Sequence, residues 1–143
     1  MKKVKNLAFL LVLGIVSGFM ISNVHAAGAY VSTLNMPYGS IYSGRARNFA
    51  SGSHKIDISV DGFNTYNGGV ITNGATTMEI GLWDVASGRY LKRSTGTYNY
   101  GSCRTTIMGN YSAGSKYYTF YSNIGVNYYK GVISNQVLMY PKP

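Results

Sequence analysis

The residues best suited to chemistry in this chain are tyrosines and cations, because acids and histidines are scarce. The 143 residues include 14 tyrosines, and 13 lysines and arginines against 4 aspartates and glutamates. Tyrosine rings give contact area at a small cost in conformational freedom, and nearby cations attract anionic ligands. We predict a ligand-binding surface in the second half of the chain, made of Arg89, Lys92, Arg93, Arg104, Tyr98, Tyr100, Tyr117 and Tyr121.

Catalytic groups are few. After position 26 there is one histidine, His54, and one cysteine, Cys103. His54 and Asp57 are three residues apart at the head of a strand and so face opposite sides of a sheet, and Cys103 alternates with Thr105 and Ile107 as a core residue does. We therefore predict no enzymatic activity, no catalytic residue, no cofactor and no metal site. A small hydrolase is the second alternative, and it requires His54 to lie close to an acid or to Cys103.

The first 26 residues have the three parts of a secretory signal peptide. Lysines at positions 2, 3 and 5 precede an apolar run over 7–21, and small or compact residues occupy positions 24 and 26. The run is shorter than the ~20 residues that a membrane-spanning helix needs, although a retained anchor is the alternative. We expect cleavage before Ala27 and a secreted, soluble domain over 27–143.

Charge points to an anionic partner. Removing three signal-peptide lysines from the net charge of +9 leaves +6 on the secreted part. Such a balance favours anionic wall polymers, acidic lipid head groups or nucleic acid, and export argues against nucleic acid. A single cysteine excludes a disulfide within the chain.

The elements that must position these residues are short strands. Alternating apolar and polar residues predict about eight of them, at 29–34, 54–60, 78–85, 89–94, 103–108, 116–122, 128–134 and 137–140. In the second of these, Ile56, Ile58 and Val60 share the buried face. Segment 44–53 reads as a loop or an exposed edge, and 96–102 reads as a loop. Arg89 and Arg93 share one face of their strand.

Strands of this length with turn residues between them, and no helical pattern, predict one antiparallel β-sandwich with Greek-key or jelly-roll connections. The stretches Leu-Trp-Asp-Val-Ala-Ser-Gly-Arg-Tyr-Leu (82–91) and Ser-Ala-Gly-Ser-Lys-Tyr-Tyr-Thr-Phe (112–120) resemble the core of jelly-roll modules secreted by bacteria. That resemblance implies the fold. The acidic loop residues that often bind calcium in such modules are largely absent here.

The chain from 27 onward, including 36–40 (Met-Pro-Tyr-Gly-Ser), also resembles small exported proteins of Gram-positive bacteria, some linked to bacteriocin-type gene clusters. The favoured function is a secreted, non-enzymatic module that binds an anionic or glycan component of a cell envelope. The first alternative is a bacteriocin-like or toxin-like protein that acts on target membranes. Leakage from anionic vesicles distinguishes the two, because a passive binder adheres without leakage.

Overall fold

The structure is a computed structural model of the chain, and it describes residues 28–39, 41–122 and 130–143. The predicted signal peptide, the cleavage point before Ala27, the turn at 123–125, and Tyr128 and Tyr129 lie outside the described residues. The described residues form two antiparallel sheets with no helix between them, so the predicted all-β sandwich is confirmed. In this part of the chain, no helix is long and apolar enough to cross a membrane.

The described residues form eleven strands rather than about eight. In chain order they are β1 (Gly28–Asn35), β2 (Ile41–Ser43), β3 (Arg47–Phe49), β4 (Gly52–Ser59), β5 (Gly62–Asn64), β6 (Val70–Ile71), β7 (Ala75–Asp84), β8 (Arg89–Asn99), β9 (Cys103–Tyr111), β10 (Gly114–Tyr121) and β11 (Gly131–Lys142). Four strands lie outside the predicted ones: β2 and β3, which fall in and beside the segment predicted as a loop or edge, and β5 and β6, which lie between the predicted strands 54–60 and 78–85. The two last predicted strands are parts of one strand, β11.

The chain crosses repeatedly between the two sheets, as it does in Greek-key folds. In sheet I, β4 and β5 pair with successive parts of one side of β11, β9 pairs with β4 and β6 with β5, and β1 pairs with the opposite side of β11. Sheet II has the order β2-β10-β7-β8, with β3 beside β2 on β10. Strands β1, β2 and β3 are therefore edge strands, and the inner faces of the sheets enclose the core.

The core is filled by apolar side chains at alternate positions of the strands. Ile56 and Ile58 are fully buried and Val60 is 2% exposed, so the predicted face of this strand is confirmed. The remaining apolar side chains of the core are Leu34, Met36, Phe49, Phe63, Met78, Ile80, Leu82, Tyr98, Met108, Tyr118, Phe120, Val132, Val137 and Met139. Apolar burial of this kind stabilises a domain by roughly 25 cal/mol per Å² of area removed from water.

The prediction that Cys103 lies in the core is wrong. In the antiparallel pair of β4 and β9, Cys103 lies opposite Ser59 and Ile107 opposite Lys55, on the outer face of sheet I. Cys103 is exposed, and Ile107 is 68% exposed. The inner face of β9 carries Thr106 and Met108 instead.

Strand β8 runs further than predicted. Residues 96–99 continue the strand, and the turn begins at Tyr100. Gly96 is a strand residue that lies directly against the guanidinium of Arg104, so a side chain at this position would require Arg104 to move. This glycine therefore permits a close approach between β8 and β9 and does not mark a turn.

Candidate functional site

The outer face of sheet II is set by two strands that alternate without interruption. In β7, Ile80 and Leu82 point into the core, so Glu79, Gly81 and Trp83 point outward. Strand β10 pairs with β7 so that Trp83 lies opposite Tyr117. On this face, β10 contributes Tyr117, Thr119 and Tyr121, the same three residues that the sequence pattern places on one face.

A β-bulge in β8 adds a further ring to this face. Trp83 pairs with Tyr90, but Leu82 pairs with Lys92, so Leu91 is an extra residue in the ladder. A bulge of this kind reverses the alternation beyond it. Tyr90 and Arg93 consequently lie on the outer face together, although they are three residues apart.

Trp83, Tyr90 and Tyr117 form what we call the ring cluster. The planes of Trp83 and Tyr117 are inclined by 25°, with ring centroids 6.2 Å apart. Tyr90 meets Trp83 edge to face at 4.9 Å and 89°. Each ring is half-buried, so the cluster packs together and still presents ring surface to solvent. Aromatic contacts of this geometry contribute ~0.5–1.5 kcal/mol beyond area burial.

Gly81 makes room for the cluster. A Cβ at this position would lie 2.5 Å from Tyr90 Cε1 and 2.5 Å from Thr119 Oγ1. The ring of Tyr90 therefore lies across the backbone of β7 at Gly81. Thr119 is buried beside it, only 7% exposed although it is on the outer face.

Polar groups border the ring cluster on the side of Tyr90. The guanidinium of Arg93 lies 4.0 Å from the centroid of Tyr90, as in a cation–π contact. Its Nε is 3.9 Å from Glu79 Oε1. The Arg93 side chain is 57% exposed and that of Glu79 is 28% exposed, so both can still hydrogen-bond to a ligand. The face thus combines apolar ring surface with a cationic donor, Arg93, and an anionic acceptor, Glu79.

An ion pair between a buried lysine and a partly exposed aspartate lies next to the cluster. Lys116 and Asp84 are register partners that point inward, next to Tyr117 and Trp83 respectively. Lys116 Nζ lies 3.6 Å from Asp84 Oδ1 and donates to Ser112 O at 2.8 Å. Hydrogen bonds from Ser87, including its N–H at 3.0 Å, hold the pKa of Asp84 below its usual value, and Lys116 lowers it further.

Three of the eight residues predicted to bind ligand lie on this face: Arg93, Tyr117 and Tyr121. The expectation that Arg89 shares a face with Arg93 is wrong, because the bulge at Leu91 lies between them. Arg89 pairs with the inward-facing Asp84, whereas Arg93 pairs with the outward-facing Gly81. Lys92 pairs with Leu82 and remains exposed at the edge of the sheet.

The other three predicted residues lie elsewhere. Tyr98 is in the core, 1% exposed, with its hydroxyl 3.1 Å from Thr106 Oγ1, and burial raises its pKa. Arg104 is half-buried between the sheets, 5.4 Å from the centroid of Tyr98. Tyr100 is exposed in the β8–β9 turn, at the opposite end of the β7–β8 hairpin from Trp83.

Trp83 and Tyr90 were not among the predicted binding residues. The alternation of Glu79, Gly81 and Trp83 against Met78, Ile80 and Leu82 already places Trp83 on an outer face, so the signal was present in the sequence. Tyr90 is different, because only the bulge brings it to that face. Simple alternation along 89–94 assigns Tyr90 to the face opposite Arg93.

The structure separates His54 from Cys103, one of the two kinds of partner that the hydrolase alternative allows. His54 is fully buried between Phe49 and Tyr111, and its Nδ1–H donates to Gly52 O at 2.9 Å. Burial lowers the pKa of His54, and the charge of Lys116 lowers it further. Cys103 pairs with Ser59, five residues further along β4, which is roughly 16 Å at 3.3 Å per residue.

Among residues 28–39, 41–122 and 130–143, no three His, Cys, Asp or Glu side chains come together in a group that could hold a metal ion. The four carboxylates of the chain are spread over the fold. Asp57 accepts from Thr105 at 2.6 Å, and Asp61 accepts from the N–H of Asn135 at 2.6 Å.

Comparisons with known proteins add little to this picture. No protein-family model matches the chain, and no curated protein matches it in sequence. Among solved structures, it is similar to the CBM36-1 domain of a multidomain xylanase from the hindgut metagenome of Trinervitermes trinervoides. That match has 11% identity and a TM-score of 0.44, and covers 82% of this chain and 93% of the other.

Proposed function

We propose that this protein is a secreted, non-enzymatic module that binds a glycan of a cell envelope through the outer face of sheet II. The ring cluster is the observation that supports this proposal. Sugar rings present C–H groups that pack well against the negative faces of aromatic rings, and their hydroxyls need donors and acceptors at the rim. Trp83 and Tyr117 provide the aromatic faces. Arg93 and Glu79 provide a hydrogen-bond donor and an acceptor at the rim.

The anchoring of the cluster also fits a binding role. Tyr90 is fixed between Trp83 and Arg93, over a glycine that leaves space for it. Side chains that are already held in place lose little freedom when a ligand binds, which favours affinity. Cross-strand aromatic pairs also stabilise a sheet, but the half-buried rings of this cluster leave ring surface that a ligand can contact.

The test is co-sedimentation of the secreted protein (residues 27–143) with purified bacterial cell-wall sacculi stripped of their anionic polymers. Trp83→Ala and Tyr117→Ala should reduce the bound fraction strongly. Tyr100→Ala is the matched control, because it removes an exposed tyrosine at the far end of the same hairpin. Equal binding by Trp83→Ala and the wild-type protein, both folded, would contradict the proposal.

Dye release from phosphatidylglycerol vesicles addresses the toxin-like alternative in the same preparations. A glycan-binding module should bind sacculi and leave the dye inside the vesicles. Rapid dye release, lost on Trp83→Ala and unaffected by added wall glycan, would instead assign the ring cluster to membrane contact.

A further inference from the structure

A cleft opens at one edge of the sandwich, where the edge strands of the two sheets face each other. Strand β1 ends sheet I there, and β2 and β3 end sheet II. The cleft has a volume of about 200 Å³ and an apolar floor that includes Leu34, Phe120 and Met139. A second, more open concavity of about 510 Å³ lies beside it, and Tyr30 and Ser115 contribute to its wall.

Arg45 and Arg47 line both spaces, on the connection from β2 to β3 and at the start of β3. Arg45 is exposed and Arg47 is half-buried. The guanidinium of Arg47 lies 5.0 Å from the centroid of Tyr30, and Lys142 Nζ lies 5.7 Å from the same ring. The Tyr30 hydroxyl donates to Asn48 O at 2.6 Å, which fixes the ring between the two cations.

These cations have no acidic partner in the described part of the chain. The two ion pairs found there are Arg93 with Glu79 and Lys116 with Asp84. The remaining acids, Asp57 and Asp61, accept hydrogen bonds from residues of sheet I. Positive charge at the cleft is therefore uncompensated, and the concave surroundings increase its effect on an approaching anion.

We propose that this cleft is a second binding site, which takes an extended polysaccharide carrying carboxylate groups. Arg45 and Arg47 present planar guanidinium groups that match a carboxylate in a two-point contact. Tyr30 and the apolar floor accommodate the sugar ring that carries the carboxylate. This site does not use the ring cluster and does not depend on its function.

The assignment to a polysaccharide follows from the shape of the site. Arginines in a recess between two strand edges are accessible to a thin chain. A membrane surface is approached best by cations that project from a convex face with apolar side chains around them. The most exposed apolar side chains nearby, Val31 and Ile41, lie on the outer faces of different sheets rather than together at the cleft rim.

The test uses polygalacturonate, a linear polysaccharide with a carboxylate on each sugar, and its fully methyl-esterified form as the uncharged probe. Binding of residues 27–143 is measured by isothermal titration calorimetry at several salt concentrations. The double variant Arg45→Gln/Arg47→Gln should lose at least tenfold in affinity for polygalacturonate. Its binding should also depend less on salt, because two charged contacts are gone.

The matched control is Arg89→Gln/Lys92→Gln, which removes the same charge from two exposed cations away from the cleft. It should lose less than twofold. Loss of Arg47 could disturb Tyr30, so Arg45→Glu serves as a second variant at an exposed position. Arg45→Glu should weaken polygalacturonate binding at least as strongly as Arg45→Gln. Trp83→Ala should leave polygalacturonate binding intact, which separates this site from the ring cluster.

Three outcomes overturn the proposal. Equal losses in the two double variants mean that net charge alone attracts the polymer. Equal binding of the charged and esterified polymers means that the carboxylates are not recognised. Binding of phosphatidylglycerol vesicles or of tripolyphosphate through Arg45 and Arg47, without binding of polygalacturonate, assigns the site to a lipid or phosphate ligand.

Discussion

Because Tyr90 lies close to Gly81, adding one methyl group at position 81 tests the packing of the ring cluster. In the Gly81→Ala variant, the new Cβ would overlap with Tyr90 and Thr119, each 2.5 Å away. The ring of Tyr90 must then move from its edge-to-face contact with Trp83 and from the guanidinium of Arg93. These two contacts contribute ~0.5–1.5 and ~0.5–1 kcal/mol respectively.

The stability gained by replacing a glycine must be subtracted from the stability lost with these contacts. Replacing glycine by alanine within a strand stabilises a protein by roughly 0.5–1 kcal/mol, because the unfolded chain has less freedom to lose. Gly81 does not have a positive φ, so an alanine there meets no backbone strain. We expect a net loss of about 1 kcal/mol for Gly81→Ala, at the low end of the usual cost of overpacking.

A double-mutant cycle isolates the contact. In a Tyr90→Ala/Thr119→Ala background the obstructing atoms of both side chains are absent, so Gly81→Ala should stabilise the protein by roughly 0.5–1 kcal/mol instead. Urea unfolding, followed by circular dichroism, gives both values. Fluorescence of the only tryptophan, Trp83, reports independently on the cluster. An identical effect of Gly81→Ala in the two backgrounds would refute the placement of Tyr90 over Gly81.

Further predictions concern the core, the thiol and pH. Ile58→Ala should lower the free energy of unfolding by roughly 2–5 kcal/mol in urea titrations, because Ile58 is fully buried, and a loss under 1 kcal/mol would contradict that. Cys103→Ser should change stability by less than about 0.5 kcal/mol, and a reducing agent should leave Tm unchanged, since this thiol is exposed and is the only one. The pKa of His54 is lowered by burial from its ordinary value of 6.5, so the unfolded chain binds the proton first as pH falls. Stability should therefore decrease below pH 6.5 towards the folded-state pKa, with a slope of at most about 1.4 kcal/mol per pH unit. His54→Asn should flatten this decrease, and an unchanged slope would show that another group titrates.

The sequence was sufficient where strands alternate without interruption. The buried face of 54–60 follows from a period of two residues, and the structure confirms it. The same period separates the inner and outer residues of 78–83 and 117–121. A strand that buries one face has one stable register, because a shift by one residue would expose every apolar side chain. Local sequence is enough to define that face.

The sequence was insufficient where pairing between strands decides the outcome. The bulge at Leu91 moves Arg89 and Arg93 to opposite faces, and it exists only in relation to β7. The glycines at 81 and 96 are further examples. Glycine is commonly a turn residue, yet here Gly96 permits the approach of Arg104 and Gly81 that of Tyr90. Both depend on neighbours that are distant in the sequence.

The positions of the cations that remain unpaired also depend on contacts between residues that are distant in the sequence. The sequence shows ten basic residues against four acids after position 26, and it favours the cluster at 89–104 because cations are densest there. Folding changes that expectation: Arg93 pairs with Glu79, and Arg104 is enclosed between the sheets. Arg45 and Arg47 line a concave surface and have no acidic partner among the described residues, although sequence density does not single them out. Charge attracts a ligand where it remains uncompensated and accessible after folding, so the positions of the acids and the burial of each side chain together determine which arginines are available for binding.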